Sequence, residues 1–216
     1  MTKVVGETIT KAFAFVAKAG QECEALANLI KVEISELFRS TPLGDVYRPG
    51  EWSSSYRDQG WVYADAAWSL PLTLAGTEQV AYLAIQMSFL CNSPAGGWSE
   101  EPILYVNLWD EPTDVRKGEY MGFEMHGISP RSTQRLQDGT ARLFRWETDN
   151  GAADRWTFGI RLAELNGLSD IRNVICAPLR TLLADVNVGE AALDLLEAVV
   201  TYSTVAEMPD YYRVIR

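Results

Sequence analysis

Apolar residues in the first 40 positions of the chain recur with the spacing of a helix. The clearest of them share one face of a 3.6-residue repeat: Cys23, Leu26, Ile30, Ile34, Leu37 and Phe38. The pattern predicts a helical segment over residues 1–40, in which Gly20 allows either two helices or one bent helix. We expect this segment to end before Pro42 and Gly44, because proline and glycine stop helical propagation.

From residue 61 onward the apolar period changes to two, which is typical of strands with one buried face. Over 61–74 the apolar side chains alternate with polar ones such as Asp65 and Ser69, which we expect on the opposite face. Residues 75–79 indicate a turn, and the alternation resumes over 81–91. These segments together predict a long β-hairpin.

Further strands are predicted at 103–109, 141–148 and 156–162, and residues 120–125 fit a shorter one. The connections between them are short. Consecutive strands with short connections favour an antiparallel meander of about five to six strands over 61–162, rather than parallel strands joined by helices.

Helical spacing returns in the last third of the chain, over 169–203. Pro178 interrupts the first part, so that helix either bends or begins anew there. A second helix is predicted over 190–202, and the tail from Met208 is predicted to be extended.

The predicted fold class is α+β: an antiparallel sheet, with the N-terminal helical segment and the C-terminal helices packed on it. A chain of 216 residues that is 47% hydrophobic and 22% charged fits a single globular domain, 1–216. No apolar run approaches the roughly 20 residues needed to cross a bilayer, and the N-terminus lacks the pattern of a secretory leader. We therefore expect no membrane association.

One histidine, His126, limits the chemistry that the chain can perform. A zinc site needs clustered His and Cys, and nucleophilic hydrolysis needs a base beside an activated Ser or Cys; neither motif is present. His126 with Glu124, two residues before it, is a weak catalytic candidate. The sequence predicts neither a metal nor a cofactor and favours a binding protein over an enzyme.

Charge narrows the class of partner. The chain has 19 basic and 29 acidic residues, a net charge of -10, and its basic residues form no cluster. Direct nucleic-acid binding needs a basic patch and is not expected. An acidic surface attracts basic proteins instead. Trp52 and Trp98 lie in predicted loops, where each is either a contact residue or a plug folded back onto the core. The candidate binding residues are these tryptophans and nearby acids: Trp52, Trp98, Glu100, Glu101, Asp110, Glu111 and Asp114.

Three cysteines, Cys23, Cys91 and Cys176, are far apart and odd in number, which favours free thiols and a cytoplasmic setting. The resulting hypothesis is a cytoplasmic acidic protein that binds a basic protein partner, in the manner of an inhibitor or immunity protein. An alternative is a small-molecule-binding domain, or a carboxylate-dependent enzyme, with a pocket between the sheet and the C-terminal helices. The N-terminal amphipathic segment could also pair with its own copy in a homodimer.

Overall fold

The computed structural model describes residues 3–40, 42–59, 62–89, 101–117, 140–146, 155–205 and 208–215. Helix α1, Lys3–Ser40, is a single helix that continues through Gly20. One glycine in a helix costs only about 1 kcal/mol, which a helix of this length tolerates. At 1.5 Å per residue α1 is about 57 Å long. Among the described residues no helix is both long enough and apolar enough to span a bilayer, α1 included.

The remaining elements follow in chain order. Those up to the middle of the chain are α2 (Leu43–Val46), β1 (Tyr47–Pro49), β2 (Ser53–Gln59), β3 (Val62–Leu74), β4 (Val80–Ser88), β5 (Ile103–Trp109) and a 3₁₀ turn (Val115–Lys117). Those after it are β6 (Thr140–Ala141), β7 (Leu143–Trp146), β8 (Arg155–Arg161), a 3₁₀ turn (Leu162–Glu164), α3 (Leu168–Asp170), a π-helical stretch (Ile171–Cys176), α4 (Ala177–Ala184), α5 (Val186–Leu193), β9 (Thr201–Val205) and β10 (Met208–Ile215). The predicted strand at 120–125 lies outside the described residues.

Seven strands form one antiparallel sheet, which confirms the predicted α+β class. Its order is β1-β3-β4-β5-β8-β7, and β2 pairs with β3. Both β1 and β2 lie along the same edge of β3, opposite Leu72–Leu74 and Val62–Ser69 respectively. The sequence did not predict these two strands. Polar residues such as Ser53 and Ser54 carry no alternation with apolar ones, so only the pairing with β3 reveals the strand.

A second, smaller sheet has the order β10-β9-β6. The helix predicted over 190–202 is wrong: α5 spans Val186–Leu193, and the chain then becomes β9. The side chain of Asp185 accepts hydrogen bonds from the backbone N–H groups of Asn187 and Val188, which starts the helix earlier. The β-branched residues that follow favour a strand, and Val200 N–H donates to Gly159 O of β8.

Pro178 lies where the type of helix changes. The π-helical stretch ends at Cys176, and Pro178 then lies in the first turn of α4. Proline has no N–H to donate and is tolerated in a first turn, where the N–H groups have no partner within the helix. The sequence left open whether the helix bends or begins anew at Pro178. In the structure a π-helical stretch, which is wider than an α-helix, leads directly into α4.

The hydrophobic core lies between one face of the large sheet and the helices. Paired positions on that face are apolar across four strands: Trp68, Ile85, Val106 and Phe158. The C-terminal part of α1 and the 168–184 helical region cover them, with Ile34, Ile171 and Leu179 fully buried. The helices thus pack on the sheet as predicted.

Candidate functional site

Helix α1 carries an apolar seam whose members are separated alternately by four and three residues. They are Ile9, Phe13, Val16, Gly20, Cys23, Ala27, Ile30, Ile34 and Leu37. This spacing averages 3.5 residues and is typical of helices that pack along their length against another helix. We call residues 3–26 the free half of α1 and residues 27–40 the core half.

The two halves differ in burial although the seam is continuous. In the core half Ala27, Ile30 and Ile34 have no exposed surface. In the free half Phe13 is 58% exposed, and Ile9 and Val16 are also exposed, whereas Cys23 and Leu26 are half-buried and pack against the core. Contiguous exposed apolar side chains are unusual on a monomeric protein and mark interaction surfaces.

Between Ile9 and Gly20 small, uncharged residues flank the seam, among them Ala12, Ala17 and Ala19, whereas Glu24 flanks it at its C-terminal end. Lys18 and Glu22 lie on the opposite side of the helix and pair at 3.6 Å. A partner could therefore approach residues 9–20 of the seam without burying a charge. Phe15 is more exposed still, at 73%, but its position lies off the seam.

Trp52, a predicted contact residue, is half-buried and packs against the core. Its indole Nε1–H donates to Ser35 Oγ of α1 at 3.1 Å. The ring of Trp52 is therefore folded back onto the core, which is the second of the two positions that the sequence left open. Trp98, Glu100, Glu124 and His126 lie outside the described residues.

The predicted acidic residues have different surroundings. Asp110 forms an ion pair with Arg155, whose side chain is 1% exposed. Asp114 accepts a hydrogen bond from Arg116 Nε at 2.8 Å. Glu111 is exposed and Glu101 is half-buried. Asp110 and Asp114 are thus each neutralised by an arginine, which weakens the attraction that they would offer a basic partner.

The loop that carries these acids is hydrogen-bonded to the second face of the large sheet, which is the face opposite the core helices. Ser55 Oγ donates to Thr113 O at 2.9 Å, and Thr113 N–H donates to Ser69 Oγ at 2.9 Å. Val115 N–H donates to Ser55 Oγ at 3.2 Å. The position of Asp110 and Asp114 is therefore fixed by hydrogen bonds to β2 and β3.

This second face is polar yet buried, which the sequence did not predict. The carboxylate of Asp65 has no exposed surface. Arg57 donates to it from Nε at 2.8 Å and also from Nη2, and Ser88 Oγ donates to its other oxygen. The alternation of apolar and polar residues over 61–74 had placed Asp65 on this face correctly. Its burial depends on the elements that cover the face, which alternation does not reveal.

Asn107 lies at the centre of the polar face, between Ala84 of β4 and Thr157 of β8. It is 1% exposed, and neither end of its amide has a hydrogen-bond partner among the described residues. The same holds for Thr113 Oγ1. Leaving such groups without a partner costs about 1–3 kcal/mol each, so water or a polar group is the natural occupant. Among the described residues of this face, the buried carboxylate of Asp65 is engaged by Arg57 and Ser88.

The described cysteines are free thiols held in their protonated form. Burial raises the pKa of Cys176 to about 11, and burial with the neighbouring Glu22 raises the pKa of Cys23. Reactive cysteines have lowered pKa values, so these two are structural. In the described part of the chain no three His, Cys, Asp or Glu side chains are grouped so as to hold a metal ion.

Comparison of the chain with models of protein families, with curated proteins and with solved structures gives no match in any of the three. The function is therefore argued from the surfaces of the molecule itself.

Proposed function

We propose that this chain is a binding protein, and that it engages a protein partner through the free half of α1. The observation that supports the proposal is the seam, one continuous row of apolar positions that is buried in the core half, half-buried at Cys23 and exposed from residue 9 to residue 20. A helix that docks through anchors at intervals of three and four residues is a recurrent mode of protein recognition.

The energetics of the free half favour a bound state. Most helical stability in proteins comes from packing of an apolar face, so a helix whose apolar face is uncovered is less stable than a packed one. The free half adds exposed rings and branched side chains to that cost, with Phe13 the largest on the seam. Each square ångström of apolar surface that a partner covers contributes about 25 cal/mol. A partner would therefore stabilise the helix while it gains affinity from the seam.

Over residues 9–20 the seam fits an apolar partner, because the flanking residues Ala12, Ala17 and Ala19 provide no charge. Recognition of a basic partner by the acidic loop is a secondary part of the proposal. Asp110 and Asp114 of that loop are each paired with an arginine, whereas Glu111 is exposed. The net charge of -10 would still steer a basic protein toward the chain over long range. The free thiols of Cys23 and Cys176 agree with a reducing, cytoplasmic setting.

A pocket between the sheet and the C-terminal helices is not part of the proposal. Phe158 of β8, Ile175 and Leu179 belong to one core cluster, and all three are fully buried. Close packing of such core side chains favours the seam over a pocket as the binding surface.

The proposal is tested with immobilised full-length chain and two matched variants. Phe13→Glu places a charge on the seam, and Phe15→Glu places the same charge on the same helix off the seam. We expect the wild type and Phe15→Glu to capture the same protein partner, and Phe13→Glu to lose at least tenfold in affinity. Both side chains are more than half exposed, so both variants should still fold, which their thermal melts would check. Equal capture by both variants would contradict the proposal.

A further inference from the structure

We infer that the polar face of the large sheet holds a binding site for one small uncharged molecule, and that residues 111–114 close over it as a lid. The site consists of Ser69, Ala84 and Asn107 on the sheet and Thr113 in the loop above them. We call these four residues the polar notch. The notch and α1 lie on opposite faces of the sheet, so this site is separate from the seam.

The floor of the notch is low because a methyl group stands between two polar side chains. Ala84 of β4 is paired with Ser69 of β3 on one side and with Asn107 of β5 on the other. Neighbouring strands are about 4.8 Å apart, so the backbones of Ser69 and Asn107 are separated by about 10 Å. The hydroxyl and the amide thus flank a gap at Ala84 that suits one ring or one amide group.

The loop that follows β5 covers this gap. Trp109, at the end of β5, is paired with Tyr82 of β4, whereas Thr113 N–H donates to Ser69 Oγ of β3. The chain therefore crosses over β4 between residues 109 and 113, beside Ala84. Ala84 has no exposed surface and Thr113 is 5% exposed, so the notch is closed in this state. A ligand enters only when the loop lifts.

The lid is anchored at both ends and held by hydrogen bonds in between. Before it, Asp110 pairs with Arg155, and after it Val115 is fully buried. Between these anchors Thr113 is hydrogen-bonded through its N–H to Ser69 and through its carbonyl oxygen to Ser55. Such hydrogen bonds contribute little net stability, because water replaces them when the loop lifts. Residues 111–114 can therefore open while the sheet stays folded.

Unpartnered polar atoms on both sides of the gap point to a ligand. Both ends of the Asn107 amide and the Oγ1 atom of Thr113 are buried, and none has a hydrogen-bond partner in the part of the chain that the structure describes. Folded proteins rarely bury such groups without partners. A molecule that bonds to the amide and to the hydroxyl removes this penalty and holds the lid closed.

The chemistry of the ligand follows from the amide and from the surrounding charges. An asparagine amide carries a donor beside an acceptor, and it is complemented by an edge with the same pair, such as that of a carboxamide or a nucleobase. The described buried charges of this face, Asp65 and Arg155, are paired with Arg57 and Asp110 respectively. A charged ligand would lose its hydration beside groups that are already compensated. The notch therefore selects an uncharged amide or base.

The first experiment is calorimetric titration of the full-length protein with benzamide, adenine and benzoate. Benzoate has the shape of benzamide but carries a charge and lacks the donor. We expect benzamide or adenine to bind at one site per chain, and benzoate to bind at least tenfold more weakly than the tighter of the two. The tighter probe distinguishes an amide from a base. Failure of both uncharged probes to bind, or equal binding of benzoate, would overturn the inference.

The second experiment repeats the titration with variants of the notch. Asn107→Leu removes the donor and the acceptor and should lose at least tenfold in affinity. Thr113→Val keeps the backbone N–H that donates to Ser69 and should lose at least threefold, which provides a test even where Asn107→Leu does not fold. Glu111→Gln, an exposed position in the lid, should bind as the wild type does. Unchanged affinity in both notch variants would sink the site.

The third experiment follows the lid by amide hydrogen exchange. Thr113 N–H and Val115 N–H donate to Ser69 Oγ and Ser55 Oγ, so their exchange reports on closure. Saturation with the tighter probe should slow exchange at Thr113 at least tenfold, and Ser55→Ala should accelerate it in the free protein. Exchange that the probe leaves unchanged would rule out the lid. Phe13→Glu should bind the probe normally, so the notch and the seam are tested independently.

Discussion

Asp110 offers a sharp test of whether the acidic loop serves binding or stability. Its carboxylate pairs with Arg155, which is buried on the polar side of the large sheet. Burial lowers the pKa of Arg155, because the charged guanidinium loses hydration there. Asp110→Asn keeps the shape of the side chain and removes the charge that compensates this arginine.

The cost follows from the exposure of the two groups. Breaking a fully buried ion pair from one side costs about 3–5 kcal/mol. Asp110 is 48% exposed, so water partly replaces it, whereas Arg155 at 1% exposed gains little hydration. We expect a loss of about 2–3 kcal/mol in the free energy of unfolding. For a chain of this size that lowers the melting temperature by about 4–12 °C.

The assay is urea unfolding followed by tryptophan fluorescence, with Glu111→Gln as the matched control. Glu111 is exposed, so its neutralisation should change stability by less than about 0.5 kcal/mol. In an Arg155→Met background the cost of Asp110→Asn should disappear, because the charge to be compensated is gone. An equal cost of Asp110→Asn in both backgrounds would refute the reasoning.

Three further predictions concern the interior of the protein. Asn107→Leu should leave the free energy of unfolding within about 1 kcal/mol of the wild type, because no described hydrogen bond is lost; a loss above that would reveal a polar occupant. Gly159→Ala should cost about 1–3 kcal/mol in thermal unfolding, since its Cβ would lie 2.8 Å from Val200 Cγ2 and closer still to Tyr202 Oη; no loss would mean that β9 can move away. Cys176, with its pKa raised to about 11, should resist iodoacetamide in the native protein, as mass spectrometry would show. Its contribution to stability is fully present below pH 9 and is lost as the pH rises toward about 11, so a flat stability profile over that range would contradict the shift.

The sequence predicted correctly those elements in which apolar residues recur at a regular spacing. The strand predicted at 103–109 is β5, Ile103–Trp109, and the predicted hairpin is β3 with β4. These strands have one face against the core, so alternation records their environment directly. The extended tail predicted from Met208 is β10.

Elements whose environment is supplied by distant residues were missed. Ser55 of β2 is buried only because β3 and the Thr113 loop close over it. The helix predicted over 190–202 failed because apolar residues at helical spacing, such as Val199 and Val200, also suit a strand. In the candidate site, the seam of α1 was visible in part, from Cys23 onward. The exposure of its N-terminal part could not be predicted, because the sheet buries only the core half and the sequence does not show where the sheet ends.

The division of α1 at Ala27 also has a consequence for hydrogen exchange. Amides of the core half should open only with the whole fold, whereas those toward the N-terminus of the free half should be protected mainly by the local helix–coil equilibrium. In a single chain the protection of successive amides should therefore fall from Ala27 toward the N-terminus. Any occupant of the seam would raise protection along the free half and leave the core half unchanged. Amide exchange in the free half would thus report whether the seam is occupied, and amide exchange in the core half would serve as the internal standard.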